Sequence, residues 1–316
     1  MTQPLFSTRS ALQDQSDVVQ VGDRSDAPLT PERSSIAAAV APVFDLRREI
    51  ARGGMGRIVE AIDRAQGRSV AVKFLLGDGA VLRERFAREA RITASLQHPG
   101  IVPVYYAGES SAGEPFYAMK LVEGRSLAAA IDDGRDLGAR LAMLPHVIAV
   151  TDALAYAHAH RVIHRDLKPS NVLLGAYGET VIVDWGLAKE LGAPDGDAPP
   201  LFESGEDGLT GHGRAIGTPR YMPPEQARGE ATDERADVYS LGALLYHLLT
   251  GVPPYAALRS GDVLDKVRLE APRPAESLEP GLPPDLAAVI RKAMARAPAD
   301  RYATAGEVAE DLRRFT

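Results

Sequence analysis

A chain of 316 residues, 45% apolar and 25% charged, can bury a large core and is expected to fold as one large or two modest domains. Its formal net charge of −7 offers nothing over the whole chain to attract nucleic acid or an anionic membrane, so neither is an expected partner. Cysteine is absent, which excludes disulfides, a thiolate nucleophile and a cysteine-ligated zinc. The first residues carry no basic region ahead of an apolar core, and no run reaches the roughly 18 apolar residues of a spanning helix, so a cytoplasmic protein without a membrane segment is expected.

Residues 1–42 combine Ser, Thr, Gln, Asp and Pro with scattered apolar residues and no sustained period, the composition of a disordered tail. From Val43 the pattern changes. Val43–Ala51, Ile58–Ile62 and Val70–Leu75 are short apolar or alternating runs separated by glycine-bearing turns, which predicts an antiparallel sheet with its first hairpin over Ala51–Arg57. Leu82–Leu96 has helical spacing, with Leu82, Phe86, Ala90 and Thr93 near one face. Ile101–Ala107 and Pro115–Val122 read as two further strands. After Gly124 the character turns helical. Leu144, Val147, Ile148, Thr151, Leu154, Ala155 and His158 recur as on a long, mostly buried helix, where His158 reads as a hydrogen-bonded core histidine. A second helix runs through Leu241–Leu249 and is ended by Gly251 and Pro253, and two more are expected over Pro284–Arg296 and Ala303–Phe315.

Between these helices lies Val162–Leu174, two apolar runs around an eight-residue polar loop. Such a loop is ordinarily a solvated connection. Here it holds an aspartate able to accept a proton (Asp166), a lysine able to neutralise an anion (Lys168) and an asparagine able to ligate a hard cation (Asn171), which is what phosphoryl transfer needs. Only six of the 36 basic residues are lysine, and Lys73 and Lys168 are two of them.

The loop spells HRDLKPSN and resembles the catalytic loop of the eukaryotic-type protein kinases; the other motifs stand in that family's order. Ile50–Ile58 resembles the glycine-rich loop over the phosphates, with Gly53 and Gly56 in place, Ile58 for its last residue and Ala51 where the first glycine is expected, and the resemblance adds Ile50 and Gly54 to the expected nucleotide contacts. Lys73 closes a VAVK run, where the family's lysine grips the α- and β-phosphates. Glu89 on the following helix is its implied partner, although from the residues alone it could equally pair with Arg85. Asp184-Trp185-Gly186 matches the DFG position, and with Asn171 implies Mg2+ ligation, Mn2+ being the alternative. GTPRYMPPE, residues 217–225, matches the peptide-docking end of the activation segment, residues 184–225. Thr218 with Lys168 implies the serine/threonine branch.

The same resemblance implies that ATP lies with its adenine between Ile58 and Ala71 above and Leu173 below. Backbone hydrogen bonds would come from Lys120 and Val122, and Met119 would control the rear of the pocket. Asp166 would take the proton of the substrate hydroxyl. Glu225 and Arg301 sit where the family has a buried ion pair, and Asp237 where it braces the catalytic loop. Thr210, then Ser204, are candidates for activating autophosphorylation in a transient kinase dimer, with Arg165 facing the phosphate. The expected fold is α+β and two-lobed: a kinase domain over 43–316, with a small antiparallel-sheet lobe carrying one helix over 43–122 and a larger helical lobe over 123–316. The implied function is that of a bacterial serine/threonine kinase acting on proteins. Two rivals are a nucleotide-binding pseudokinase, favoured by Ala51 and Trp185, and a small-molecule phosphotransferase, against which Thr218–Glu225 speaks.

Overall fold

The computed structural model describes residues 43–53, 56–134, 136–192, 202–203, 214–215, 219–256 and 260–316. The expected tail 1–42 and the positions Gly54, Ser204, Thr210 and Thr218 lie outside them.

Strands β1 (Phe44–Arg52), β2 (Gly56–Asp63), β3 (Arg68–Leu75), β4 (Val104–Glu109) and β5 (Pro115–Lys120) form one antiparallel sheet in the order β1-β2-β3-β5-β4. Their period of two divides the side chains between two faces. Phe44, Val59, Ala61, Val70, Val72, Phe74, Phe116 and Ala118 pack together on one face. Ala71, Tyr117 and Met119 turn to the other, where helix α1 (Ala80–Ser95) brings Phe86 and Ala90 against them. The strand expected over Ile101–Ala107 begins later. Pro103 has no N–H to give a ladder, and Ile101 instead makes an isolated parallel bridge to Ile182. Val102 N–H donates to the Ile182 carbonyl at 3.1 Å and Ile182 N–H to the Gly100 carbonyl at 2.8 Å, tying the sheet lobe to the helical one.

The larger lobe is built on α4 (Leu144–Ala159) and α6 (Glu234–Thr250). Every residue of α6 from Ala236 to Thr250 is buried, as expected for a helix apolar on all sides. Asp233 caps its start by accepting from Arg235 N–H, and Gly251, at φ 74°, ends it in the left-handed conformation that glycine adopts without steric cost. Helices α8 (Pro284–Ala293) and α9 (Ala305–Phe315) pack on α6 and α4. They are shorter than expected, because Met294 leaves helical geometry and Thr304 is the cap of α9. Thr304 accepts from Glu307 N–H, and the Glu307 carboxylate accepts from the N–H of Ala303, one residue before the cap, a close variant of the capping box.

Helices α2 (Leu127–Asp133), α3 (Leu137–Leu141), α5 (Pro224–Ala227) and α7 (Ser260–Leu269) were not expected from the sequence. They are short, and their caps carry more signal than their periods: Ser126 accepts from Ala129 N–H and Asp136 from Ala139 N–H. The stretch Leu137–Ala159 is long and apolar enough, by length and composition, to cross a membrane. It is not an uninterrupted apolar run, since Arg140, His146, Thr151 and Asp152 fall within it. Its residues Leu144, Val147, Val150 and Leu154 are at most 1% exposed, within the core of the helical lobe.

Candidate active site

The polar loop expected to hold the chemistry lies between β7 (Val162–Ile163) and β8 (Val172–Gly175). These strands do not pair with each other. β7 pairs with β10 (Lys189–Glu190), and β8 lies between β6 (Gly124–Ser126) and β9 (Thr180–Ile182). The loop is therefore suspended between two small sheets and needs its own internal support.

That support is Asp237 on α6, fully buried, which accepts from His164 N–H at 2.8 Å and Arg165 N–H at 2.9 Å. His158 Nε2 lies 2.8 Å from the same carboxylate, so His158 is the hydrogen-bonded core histidine its helical position suggested. Burial works against the Asp237 charge, yet the hydrogen bond with His158, the neighbouring histidines and the Arg165 N–H keep its pKa below the usual carboxylate value. Arg165 has φ 67° and Asp184 φ 63°, a region costly for residues with a Cβ, so the backbone on both sides of the site is held by its surroundings. Gln226 on α5 adds a side-chain N–H to the Arg165 carbonyl at 2.8 Å. No sequence signal pointed to Gln226, because its partner is a main-chain atom 61 residues away.

Within the loop, Lys168 Nζ is 3.0 Å from Asp166 Oδ2, and Asn171 Nδ2 donates to the Asp166 carbonyl at 3.0 Å. Val183 N–H donates to the Asn171 carbonyl at 2.9 Å, fixing the strand that leads into Asp184. Across the cleft, Lys73 on β3 is held by two carboxylates, Glu89 Oε1 at 2.5 Å and Asp184 Oδ1 at 3.2 Å. Glu89 is 3% exposed and pairs with Lys73, so of its two candidate partners Arg85 is not the one used. Burial alone would lower the Lys73 pKa; Asp184 and Glu89 outweigh it and keep the ammonium charged well above its ordinary range. The same lysine, with Lys168 adding to it against burial, lowers Asp184 to about 2.

Of these groups Lys73, Asn171, Val183 and Asp184 line a cavity of about 240 Å3 between the lobes, and Asp166, Lys168 and Glu89 are not among its lining residues. Ile50, Gly53, Gly56, Ile58, Ala71, Lys73, Met119, Lys120, Val122, Leu173, Asn171 and Asp184 all line it, so the structure brings these expected nucleotide-site residues together. Gly56 fits where a side chain would not: an added Cβ would stand 2.8 Å from the Phe74 carbonyl oxygen and 3.2 Å from Lys73 Cε. Lys120 N–H already donates to the Pro103 carbonyl at 3.1 Å, which restricts any ligand hydrogen bond from this residue to its carbonyl. Arg52, Arg125 and Ser170 also line the cavity and were not singled out in the sequence, since polar residues in turns look alike without a fold. Trp185 is 1% exposed and lies against His164, ring centroids 4.6 Å apart; its bulk is accommodated inside the helical lobe's core.

The donors in this cleft suit a hard divalent cation: an asparagine amide and a carboxylate that stays ionised. Among the described residues no cluster of three or more His, Asp or Glu could hold a metal by itself. Such a cation would therefore share its ligands with phosphate oxygens.

Residues 44–311 match the family described as Protein kinase domain. Among its relatives are the serine/threonine-protein kinase PknD of Chlamydia pneumoniae, 36% identical over 85% of this chain and 30% of that protein, and a probable serine/threonine-protein kinase of Streptomyces coelicolor, SCO3848, 36% identical over 85% of this chain and 39% of that one. The chain thus spans about a third of the length of the curated relatives it matches. The crystal structure of the Mycobacterium tuberculosis PknI kinase domain superposes with a TM-score of 0.64 at 27% identity, covering 86% of this chain and 96% of that one. Use of ATP and a divalent metal is general to the family. The chain belongs to the protein kinase domain family, in its bacterial serine/threonine branch.

Proposed function

We propose that this chain transfers the γ-phosphoryl group of ATP to serine and threonine hydroxyls of proteins, with its kinase domain over 43–316 and its activation segment over 184–225. The observation that carries the reading is the cleft lined by Lys73, which Glu89 and Asp184 pin, and by Asn171, whose loop also holds the Asp166–Lys168 pair. Lys73 and Lys168 hold phosphate oxygens, and Asp166 orients the substrate hydroxyl and accepts its proton as the new phosphorus–oxygen bond forms and the bond from the γ-phosphorus to the bridging oxygen breaks, releasing ADP. Asn171 and Asp184 would hold Mg2+, with Mn2+ suited to the same oxygen donors, and the cation would supply charge neutralisation at the phosphates. The apolar walls from Ile58, Ala71 and Leu173 receive the adenine, Met119 bounds the rear, and Lys120 and Val122 offer backbone hydrogen bonds. Thr218 completes the hydroxyl-binding end in this reading.

Activation by autophosphorylation at Thr210, or at Ser204, in a transient dimer is part of the proposal. It is supported by Arg165, whose Nε and Nη1 are buried with no hydrogen-bond partner among the described residues, and by Arg88, whose Nε and Nη2 are in the same condition. Burial, then the nearby Arg88 charge, lower the Arg165 pKa to about 10 against the pull of Asp237, so a phosphate there would meet two under-compensated cations.

The test is incubation of the purified chain with Mg2+ and γ-labelled ATP beside an Asp166→Asn variant, followed by mapping of the labelled residues. Label on Thr210 or its neighbours, or on a generic basic protein, that disappears in the variant is the expected result. Nucleotide binding with no transfer in either protein would favour the pseudokinase.

A further inference from the structure

Tyr117 is a buried hydroxyl that the mechanism above leaves unused. It is 3% exposed on β5, and its Oη donates to Glu89 Oε1 at 2.7 Å, the same oxygen that receives Lys73 Nζ at 2.5 Å. Strand register places it there, because Tyr117 is the cross-strand partner of Lys73 in the β3–β5 ladder. Its ring lies 5.2 Å from that of Phe86, one turn before Glu89 on α1, and the Lys73 ammonium is 5.9 Å from the ring centroid. Burial, reinforced by the Glu89 charge, raises the phenol pKa well above its ordinary value, which keeps the hydroxyl a neutral donor.

The geometry gives this hydroxyl a task that Lys73 cannot perform. Lys73 is shared between Glu89 and Asp184 and must also reach the nucleotide, so its grip on Glu89 varies with whatever else it holds. Tyr117 has no competing acceptor in that group. It ties the Glu89 carboxylate to the central sheet whatever Lys73 is doing, and Glu89 carries the rest of α1 with it. A hydrogen bond to a buried charged acceptor is among the stronger kinds, and losing the donor leaves part of the carboxylate unsatisfied. We propose that Tyr117 is a positioning residue for phosphoryl transfer, anchoring Glu89 and α1 to β5 through its hydroxyl and so directing the Lys73 ammonium at the phosphates. The inference rests on the kinase reading given above.

Phenylalanine would fill the same space without the hydroxyl, so Tyr117→Phe separates packing from positioning. The experiment measures kcat and KM for ATP, together with the melting temperature, for four forms of the full chain: parent, Tyr117→Phe, Glu89→Ala and the double variant. The expected result is a fall of about tenfold in kcat/KM for Tyr117→Phe in the parent background, with folding retained. In the Glu89→Ala background, where the acceptor is gone, the same substitution is expected to change kcat/KM by less than about twofold. Equal losses in both backgrounds would mean the hydroxyl acts on something other than Glu89 and would overturn the inference. So would parental kinetics in Tyr117→Phe, or a Tyr117→Phe chain that no longer folds, since its role would then be stability. A folded parent chain with no transfer at all would instead remove the kinase reading and this inference with it, and it is told apart because the parent itself fails.

Discussion

At the scale of single residues the candidate site is organised in part by a buried side chain that does not line its cavity. Asp237 accepts two successive backbone N–H groups of the catalytic loop, one of them from Arg165 at φ 67°. Replacing it by Asn keeps the shape, but puts an amide donor where one backbone N–H now finds an acceptor. Asp237→Asn is expected to cost about 3 kcal/mol in urea unfolding and to reduce phosphoryl transfer by more than about tenfold, through a loop that no longer presents Asp166 correctly. Unchanged turnover in a folded Asp237→Asn chain would show that the loop holds its shape without this brace.

At the scale of elements, α6 carries a titration that should be visible in stability. His247, 8% exposed, lies with Nδ1 2.7 Å from Tyr221 Oη, joining the helix to the short turn Pro219–Tyr221. Burial, with the Arg220 charge adding to it, lowers its pKa to about 4. The unfolded chain takes up this proton near pH 6.5 and the native one only near 4, so the unfolded state binds more protons between those values. Stability from this residue is fully present above about pH 6.5 and is lost as pH falls through about 4, in total on the order of 3 kcal/mol. The parent chain should therefore lose melting temperature between pH 7.5 and pH 5, and a His247→Gln chain should lose distinctly less. Parallel melting curves for the two proteins across that range would contradict this assignment.

At the scale of the whole molecule, the nucleotide cleft has walls from both lobes: Ile50, Ile58, Ala71 and Met119 on one side, Asn171, Leu173 and Asp184 on the other. A ligand that fills it bridges two lobes that are also joined through Val102 and Ile182 and by Ile92 of α1 and Leu96 just after it, packed in the larger core. Mg2+ with a non-hydrolysable ATP analogue at a hundred times its Kd should add about 2.7 kcal/mol to stability, a rise of roughly 5 °C or more in Tm. In a Lys73→Met chain most of that rise should vanish, because Glu89 and Asp184 would lose the ammonium between them and the phosphates would lose a cation. An equal rise in both chains would place the analogue elsewhere.

Much of this molecule is legible in its sequence, for a local reason. The alternation of β1–β3, the helical spacing of α4 and α6, Gly251 as a stop and the HRDLKPSN loop each depend on residues a few positions apart, and local chemistry writes them into the chain. Lys73, Asp166, Asn171 and Asp184 were nameable because each sits in a short motif of its own. The short helices α2, α3, α5 and α7 were not, because their periods are too brief to separate from loops. What only the tertiary structure decided are the pairings over long separations. Gln226 finds a backbone carbonyl and Tyr117 turns its hydroxyl onto Glu89, while for Glu89 with Lys73 and for Asp237 with the loop, which the family motifs already implied, the fold supplies the partner atoms. Such contacts depend on strand register and on which face of a helix meets which sheet. Those follow from burying apolar surface over the whole chain, and no window of neighbouring residues contains them.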